Sequence, residues 1–406
     1  MNYNTFHLDN GLRVIHLPSA ADVVYCGIAI KAGTRDEHPG EEGLAHFCEH
    51  LSFKGTGRRS AVQIINAIEG LGGELNAFTN KEDTVFYCAI QNKHFMKAVD
   101  VLTDIVFHSV FPQHEVEKEC EVVCDEIESY EDSPAELIYD DIENILFEGH
   151  PLGHNILGTA RQVRLFTAAD ARRFTQCHYR PDNSVFFVSG NANLSLLLKR
   201  LNAIERPQAS APSASAAVPS LPTPPHEVVR RRGTHQAHVV IGAQAYAADN
   251  PRRWVLYLLN NIIGGPGLNS RLNLSLRERN GLVYSVESSM VCYGDTGAWC
   301  IYFGCDQDDV KHCLRLVHRE LNKLTHSPIS ASGLAKAKQQ LQGQLAIASD
   351  NREQFALDFA KNYLHSGKLR DLSDIMRHID TLTAADLQQT ARCIFAPDRL
   401  TTLIYD

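Results

Sequence analysis

The chain runs to 406 residues, 44% of them hydrophobic and 21% charged, with a formal net charge of −9. That length holds two or more buried cores, and the composition excludes a largely disordered chain. The acidic balance argues against a nucleic-acid partner, because tracking phosphates needs a basic surface and the closest candidate is the short run Arg230-Arg231-Arg232, read as a solvated strand entry.

In chain order, Met1 to Ile15 reads as a strand, a turn and a second strand, without the basic start and apolar core of a secretory leader. No later run approaches the roughly 18 apolar residues of a membrane span. Eleven cysteines, an odd number without CxxC spacing, predict reduced thiols in the core. Together these features predict a cytoplasmic protein with no membrane partner.

The segment His46-Phe47-Cys48-Glu49-His50 is predicted to be helical. Two imidazoles four residues apart share one helical face, and Glu49 sits beside them, close enough to hold a metal-bound water. The order HxxEH inverts the commoner HExxH and is a zinc-hydrolase signature. Cys48 points to the opposite face and is expected in the core. Residues 60–71 form an amphipathic helix with Ser60 as N-cap and Gly72 as C-cap, and residues 85–90 form a strand. A catalytic zinc wants three protein ligands and an open position, so a third must come from elsewhere. The best donor is the acidic helical stretch 115–126, in which Glu119 and Glu126 share a face; Asp125 and Glu128 are the competing neighbours. Cys120 and Cys124 lie off that face and are expected in the core.

At this point the chain resembles the M16 (pitrilysin, or insulinase) metallopeptidases, of the two-domain type related to the processing peptidases. In that family a zinc-binding Glu follows HxxEH by about 76 positions, and Glu126 stands 76 beyond His50. The resemblance therefore implies one Zn²⁺ per chain on His46, His50 and Glu126, with Glu49 as general base. It also implies a supporting acid one heptad earlier, at Glu119. Phe53-Lys54-Gly55-Thr56 matches the family's continuation. The run Gly72-Gly73-Glu74-Leu75-Asn76-Ala77-Phe78-Thr79 resembles its edge strand, which implies that Asn76 and Ala77 pair with an extended peptide by strand addition. Ser270-Arg271-Leu272 and the run from Arg277 to Tyr284 resemble its Arg/Tyr substrate-binding segment, mapping to Arg277 and Tyr284.

Residues 206–225 are dominated by Ala, Ser and Pro and read as a linker. Around it the chain repeats. Phe166-Thr167-Ala168-Ala169-Asp170, followed by Cys177, Tyr179, Pro181 and Asp182, parallels Leu382-Thr383-Ala384-Ala385-Asp386, followed by Cys393, Phe395, Pro397 and Asp398, at an offset of 216 throughout. This predicts duplicated domains over 1–205 and 229–406, joined through 206–228. The second copy reads Leu258-Leu259-Asn260-Asn261-Ile262-Ile263-Gly264-Gly265 where the first has its zinc helix, and Gln344 or a neighbour where the first has Glu126. Only the N-terminal copy can hold metal. The loop Gly264-Gly265-Pro266-Gly267 lacks the Lys-Ser/Thr ending of a phosphate loop.

Strands and helices in blocks predict an α+β fold of two duplicated sandwich domains with mixed or antiparallel sheets, and the resemblance implies that the two face a central cavity. It implies a zinc endopeptidase acting on short or unfolded peptides, assembled as a homodimer. The rival is a catalytically silent structural subunit, or one partner of a heterodimeric processing peptidase.

Overall fold

The structure, a computed structural model, describes residues 3–205, 226–368 and 372–406. Of the expected linker, residues 206–225 lie outside the described residues, and Glu227–Arg230 is already a strand. The contacts divide the described chain into two compact units, 3–128 with 154–205 and 348–368, and 129–153 with 226–347 and 372–406.

The first unit holds a six-stranded sheet of β1 (Asn4–His7), β2 (Arg13–Leu17), β3 (Val23–Ile30), β4 (Glu74–Thr79), β5 (Thr84–Gln91) and β6 (Ser184–Ser189), in the order β1-β2-β6-β3-β5-β4. Only β2 and β6 run parallel, with Arg13 opposite Val185 and Leu17 opposite Ser189. The second unit holds β7 (Glu227–Arg230), β8 (Ala237–Ala245), β9 (Val283–Cys292), β10 (Gly297–Cys305) and β11 (Thr401–Tyr405), in the order β7-β11-β8-β10-β9. Here β7 and β11 are the parallel pair. Each sheet thus lays the same five-strand path, with β6 answering β11 and β4 answering β9, as a duplicated sequence requires. The helices Ala168–His178 and Ala384–Ile394 sit 216 residues apart, each opened by a threonine and closed into a capping box by an aspartate three residues on.

The sheets are mixed and carry helices on both faces, so their inner strands are mostly buried. All six residues of β6 are buried, which is why it reads as a nearly unbroken apolar run instead of an alternating one. One face of the first sheet meets the helices Leu44–Ser52, Phe95–Phe107 and Ala168–His178 in a large core built around Phe47, Phe86 and Phe186. The other face, Ile15, Ala29, Val85, Val185 and Phe187, is covered by Ala356, Leu357, Phe359, Ala360 and Tyr363 of the helix Arg352–Ser366. In the second unit the matching face, with Val240, Leu403 and Tyr405, is covered by Ile138, Ile142 and Leu146 of the helix Pro134–Leu146. Each unit therefore borrows one helix from the other half of the sequence.

Strand β4 pairs only with β5 and ends the first sheet, so its outer main-chain edge has no strand partner among the described residues. Ser60 caps the helix Ala61–Ile68 in a capping box, as the sequence predicts; the α-helix stops at Ile68, short of the expected 71, and Gly72 at φ +75° closes the 3-10 turn Glu69–Leu71 that follows.

Candidate metal centre

The HxxEH segment lies in the helix Leu44–Ser52. Its apolar residues Leu44, Ala45, Phe47, Cys48 and Leu51 are fully buried in the core, and that burial turns the opposite side, carrying His46, Glu49 and His50, toward the acidic helix Gln113–Glu131 and strand β4. Cys48 is in the core as expected, with its thiol toward the Ala171 carbonyl. The thiols of Cys120 and Cys124 approach the carbonyls of Val163 and Ala160 and play no part in the cluster.

His46, His50 and Glu126 each direct one ligand atom into a group whose members all lie within 4.8 Å of one another, the one such group among the described residues. Glu126 Oε2 is 3.4 Å from His50 Nε2 and 3.8 Å from His46 Nε2. Ligands on a tetrahedral zinc, with bonds near 2.1 Å, stand about 3.4 Å apart, so the spacing fits one cation. Asp125 and Glu128, the sequence alternatives, are not in the group.

The surroundings fit a metal as well. His50 Nδ1 lies 2.9 Å from Glu119 Oε1, which fixes the tautomer that leaves Nε2 free to ligate, and Glu119 is itself held by Lys54 Nζ at 2.6 Å. Burial presses Glu119 upward, but its bonds to His50 and Lys54 outweigh that and leave the carboxyl below its ordinary range. Burial pulls His50 down, and the bond to Glu119 with the nearby Glu49 and Glu126 charges more than offsets it. His46 is pushed down to about 3, by burial first and His50 second, so it is neutral at physiological pH as a ligand must be. Its Nδ1 is buried without a hydrogen-bond partner.

Glu49 stands outside the ligand group, is buried, and receives a 2.8 Å hydrogen bond from the Thr79 hydroxyl on Oε2. Burial raises its carboxyl above the ordinary range, the direction that suits a group cycling between carboxylate and acid near neutrality. Thr79 is the last residue of β4, so the strand carrying Asn76 and Ala77 is anchored on the candidate base. Asn76 is exposed on that strand and Ala77 packs inward. In the second unit, the Arg277 guanidinium carbon lies 5.8 Å from the centre of the Tyr284 ring, and Tyr284 is 85% exposed. The two residues meet each other as a pair.

Sequence reasoning missed Thr79 and Glu37, whose buried carboxylate accepts from the Gly43 and Ala45 amides at the start of the HxxEH helix. Thr79 ends the quoted edge-strand run, but nothing in its spacing marks a hydroxyl that will reach Glu49.

The fold is that of a metallopeptidase family. The profile of the insulinase peptidase family M16 matches residues 13–160, and that of the M16 inactive domain matches residues 165–341; the chain belongs to the M16 peptidase family. Among its relatives are the uncharacterized zinc protease YmxG of Bacillus subtilis, 32% identical over 397 residues spanning 97% of this chain and 96% of that one, and an uncharacterized zinc protease of Streptomyces coelicolor, 33% identical over 395 residues spanning 95% and 85%. A protease of Helicobacter pylori has the same fold, with a TM-score of 0.90 at 21% identity over 100% of this chain and 99% of that one. So does an M16 inactive domain from Pseudomonas fluorescens, with a TM-score of 0.90 at 18% identity over 100% and 98%.

Proposed function

We propose that the protein is a zinc-dependent endopeptidase that hydrolyses short or unfolded peptides. The observation that carries this reading is the convergence of His46, His50 and Glu126 within 4.8 Å, with Glu49 beside them on the same helix. His46, His50 and Glu126 would hold one zinc ion per chain. When bound, the ion supplies Lewis acidity to a water and to the scissile carbonyl.

Glu49 takes the proton of the attacking water and passes it to the leaving amine; its burial and the Thr79 hydrogen bond hold the carboxylate in one orientation for both transfers. Glu119 orients His50. A peptide lying along the free edge of β4, past Asn76 and Ala77, would be recognised through its main chain, which favours extended over folded substrates. Arg277 and Tyr284 contact the substrate backbone in this scheme, and their pairing supports a shared task. A cytoplasmic homodimer completes the reading. No helix among the described residues is long and apolar enough to cross a membrane.

Glu49→Gln tests the reading. Zinc content is expected to stay at the wild-type value while cleavage of an internally quenched peptide falls at least ~100-fold. Undiminished turnover would remove Glu49 from the reaction, and a wild-type chain that binds zinc without cleaving any peptide would favour the silent-subunit alternative. Purification as a single polypeptide at twice the chain mass supports the homodimer; two equimolar polypeptides would replace it with the heterodimer.

A further inference from the structure

The HxxEH helix starts at Gly43, which sits at φ +99° with its Cα so close to the Leu157 carbonyl that a Cβ would lie 2.6 Å from that oxygen. Glycine is therefore required there, and glycine brings no side chain to cap the helix. The first amides of a helix have no partners within it. Glu37 supplies them, with Oε1 accepting from the Ala45 amide at 2.7 Å and Oε2 from the Gly43 amide at 3.1 Å. Oε2 also lies 2.9 Å from His154 Nε2, and the His154 carbonyl accepts from the Lys81 ammonium.

The Glu37 side chain is 1% exposed. Sealing an ionisable group this far from water is costly, and burial pushes its carboxyl up to about 7 against the downward pull of His154 and the two amides. Yet Glu37 is not among the metal-binding side chains, and the proposed reaction leaves it without a task.

We infer that Glu37, braced by His154, is the positioning residue that sets the rotation of the His46–His50 helix so that both imidazoles meet Glu126; the inference rests on the zinc reading above. His46 is the third residue of that helix, next to Ala45, whose amide Glu37 grips. A rotation of the helix by about 10° would carry an imidazole nitrogen roughly 1 Å sideways, which is large against the ~0.2 Å tolerance of a metal–ligand distance. The same clamp reaches the candidate base. Lys81, bound to the His154 carbonyl, lies two residues past Thr79, which holds Glu49.

The test compares zinc affinity, measured by competition with a chromophoric chelator, and the kcat and KM of peptide cleavage in Glu37→Gln, His154→Leu and His154→Gln. Glu37→Gln and His154→Leu are expected to stay folded by circular dichroism, bind zinc about tenfold more weakly and lose kcat at unchanged KM. His154→Gln, whose amide can still donate to Glu37, is expected to keep wild-type affinity. Wild-type zinc affinity in both Glu37→Gln and His154→Leu, with only a lowered melting temperature, would reduce Glu37 to an ordinary helix cap and overturn the inference. If Glu37→Gln does not fold, the pair at position 154 decides, and equal zinc affinities of the Leu and Gln variants overturn it. A wild-type chain that binds zinc but cleaves no peptide would sink the peptidase reading while leaving the affinity comparison intact. A wild-type chain that takes up no zinc would sink both.

Discussion

At the scale of single residues, the site divides into groups fixed by helix periodicity and groups fixed by tertiary folding. His46, Glu49 and His50 belong to the first kind, since four residues of helix place two side chains on one face whatever the surroundings. Thr79 belongs to the second. Its hydroxyl holds one oxygen of Glu49 at 2.8 Å, thirty residues away in sequence, and so selects the carboxylate orientation available for proton transfer. Thr79→Val keeps the shape and removes the donor. Zinc affinity is expected to be unchanged and kcat to fall about fivefold, as for the loss of one orienting hydrogen bond of about 1 kcal/mol; a wild-type kcat would show that Glu49 is oriented by other means. The division explains what could be read in advance. HxxEH declares itself, and Glu126 followed from its distance of 76 residues beyond His50. Thr79, Glu37 and the bracing His154 carry no local signal, because only the folded chain brings positions 37, 79 and 154 to the helix.

At the scale of elements, the helix Arg352–Ser366 joins the first sheet through an apolar face and a polar rim. Its apolar residues cover Ile15, Ala29 and Phe187. At its C-terminal end, Arg13 donates to the carbonyls of Tyr363 and Leu364, and His365 Nε2 lies 2.8 Å from Asp83 Oδ2 on the β4–β5 turn. Burial pushes Asp83 upward, but His365 and Asn80 outweigh it and hold the carboxyl below its ordinary value of 3.8. A carboxylate with a lowered folded pKa contributes stability above its unfolded pKa, and that contribution disappears as pH falls through the folded one. Urea unfolding should therefore show the stability gap between wild type and Asp83→Asn narrowing as pH drops from about 5 to about 3; a gap independent of pH would mean that Asp83 is not charged in the native pair. The repeat at offset 216 announced the paired helices Ala168–His178 and Ala384–Ile394 and, through them, the duplicated sheets. The exchange of helices was not legible, because a helical pattern over 352–366 states that one face is buried without stating which sheet, its strands more than 150 residues earlier in the chain, buries it.

At the scale of the whole molecule, the exchange means that neither half of the sequence completes its own core. Residues 1–205 alone would leave Ile15, Leu17, Ala29, Val85, Val185 and Phe187 without the helix that covers them. Uncovering an apolar face of this kind removes burial worth about 25 cal/mol per Å². Cutting the chain once within 206–225 should accordingly yield two fragments that stay together on gel filtration, whereas residues 1–205 produced alone should aggregate or melt at lower temperature; a soluble fragment as stable as the whole chain would contradict the exchange. The same duplicated plan places all three candidate ligands in one unit, since the second copy has Leu258 to Gly265 where the first has its histidines. Metal binding should then be a property of one site per chain that vanishes with one distant carboxylate. The most direct measurement is a zinc titration of the wild type and of Glu126→Gln, read by metal content and chelator competition. The expected result is one tightly held zinc per wild-type chain, with affinity in Glu126→Gln reduced by at least about a hundredfold. Equal zinc affinity in the two proteins would contradict the site on which the whole account stands.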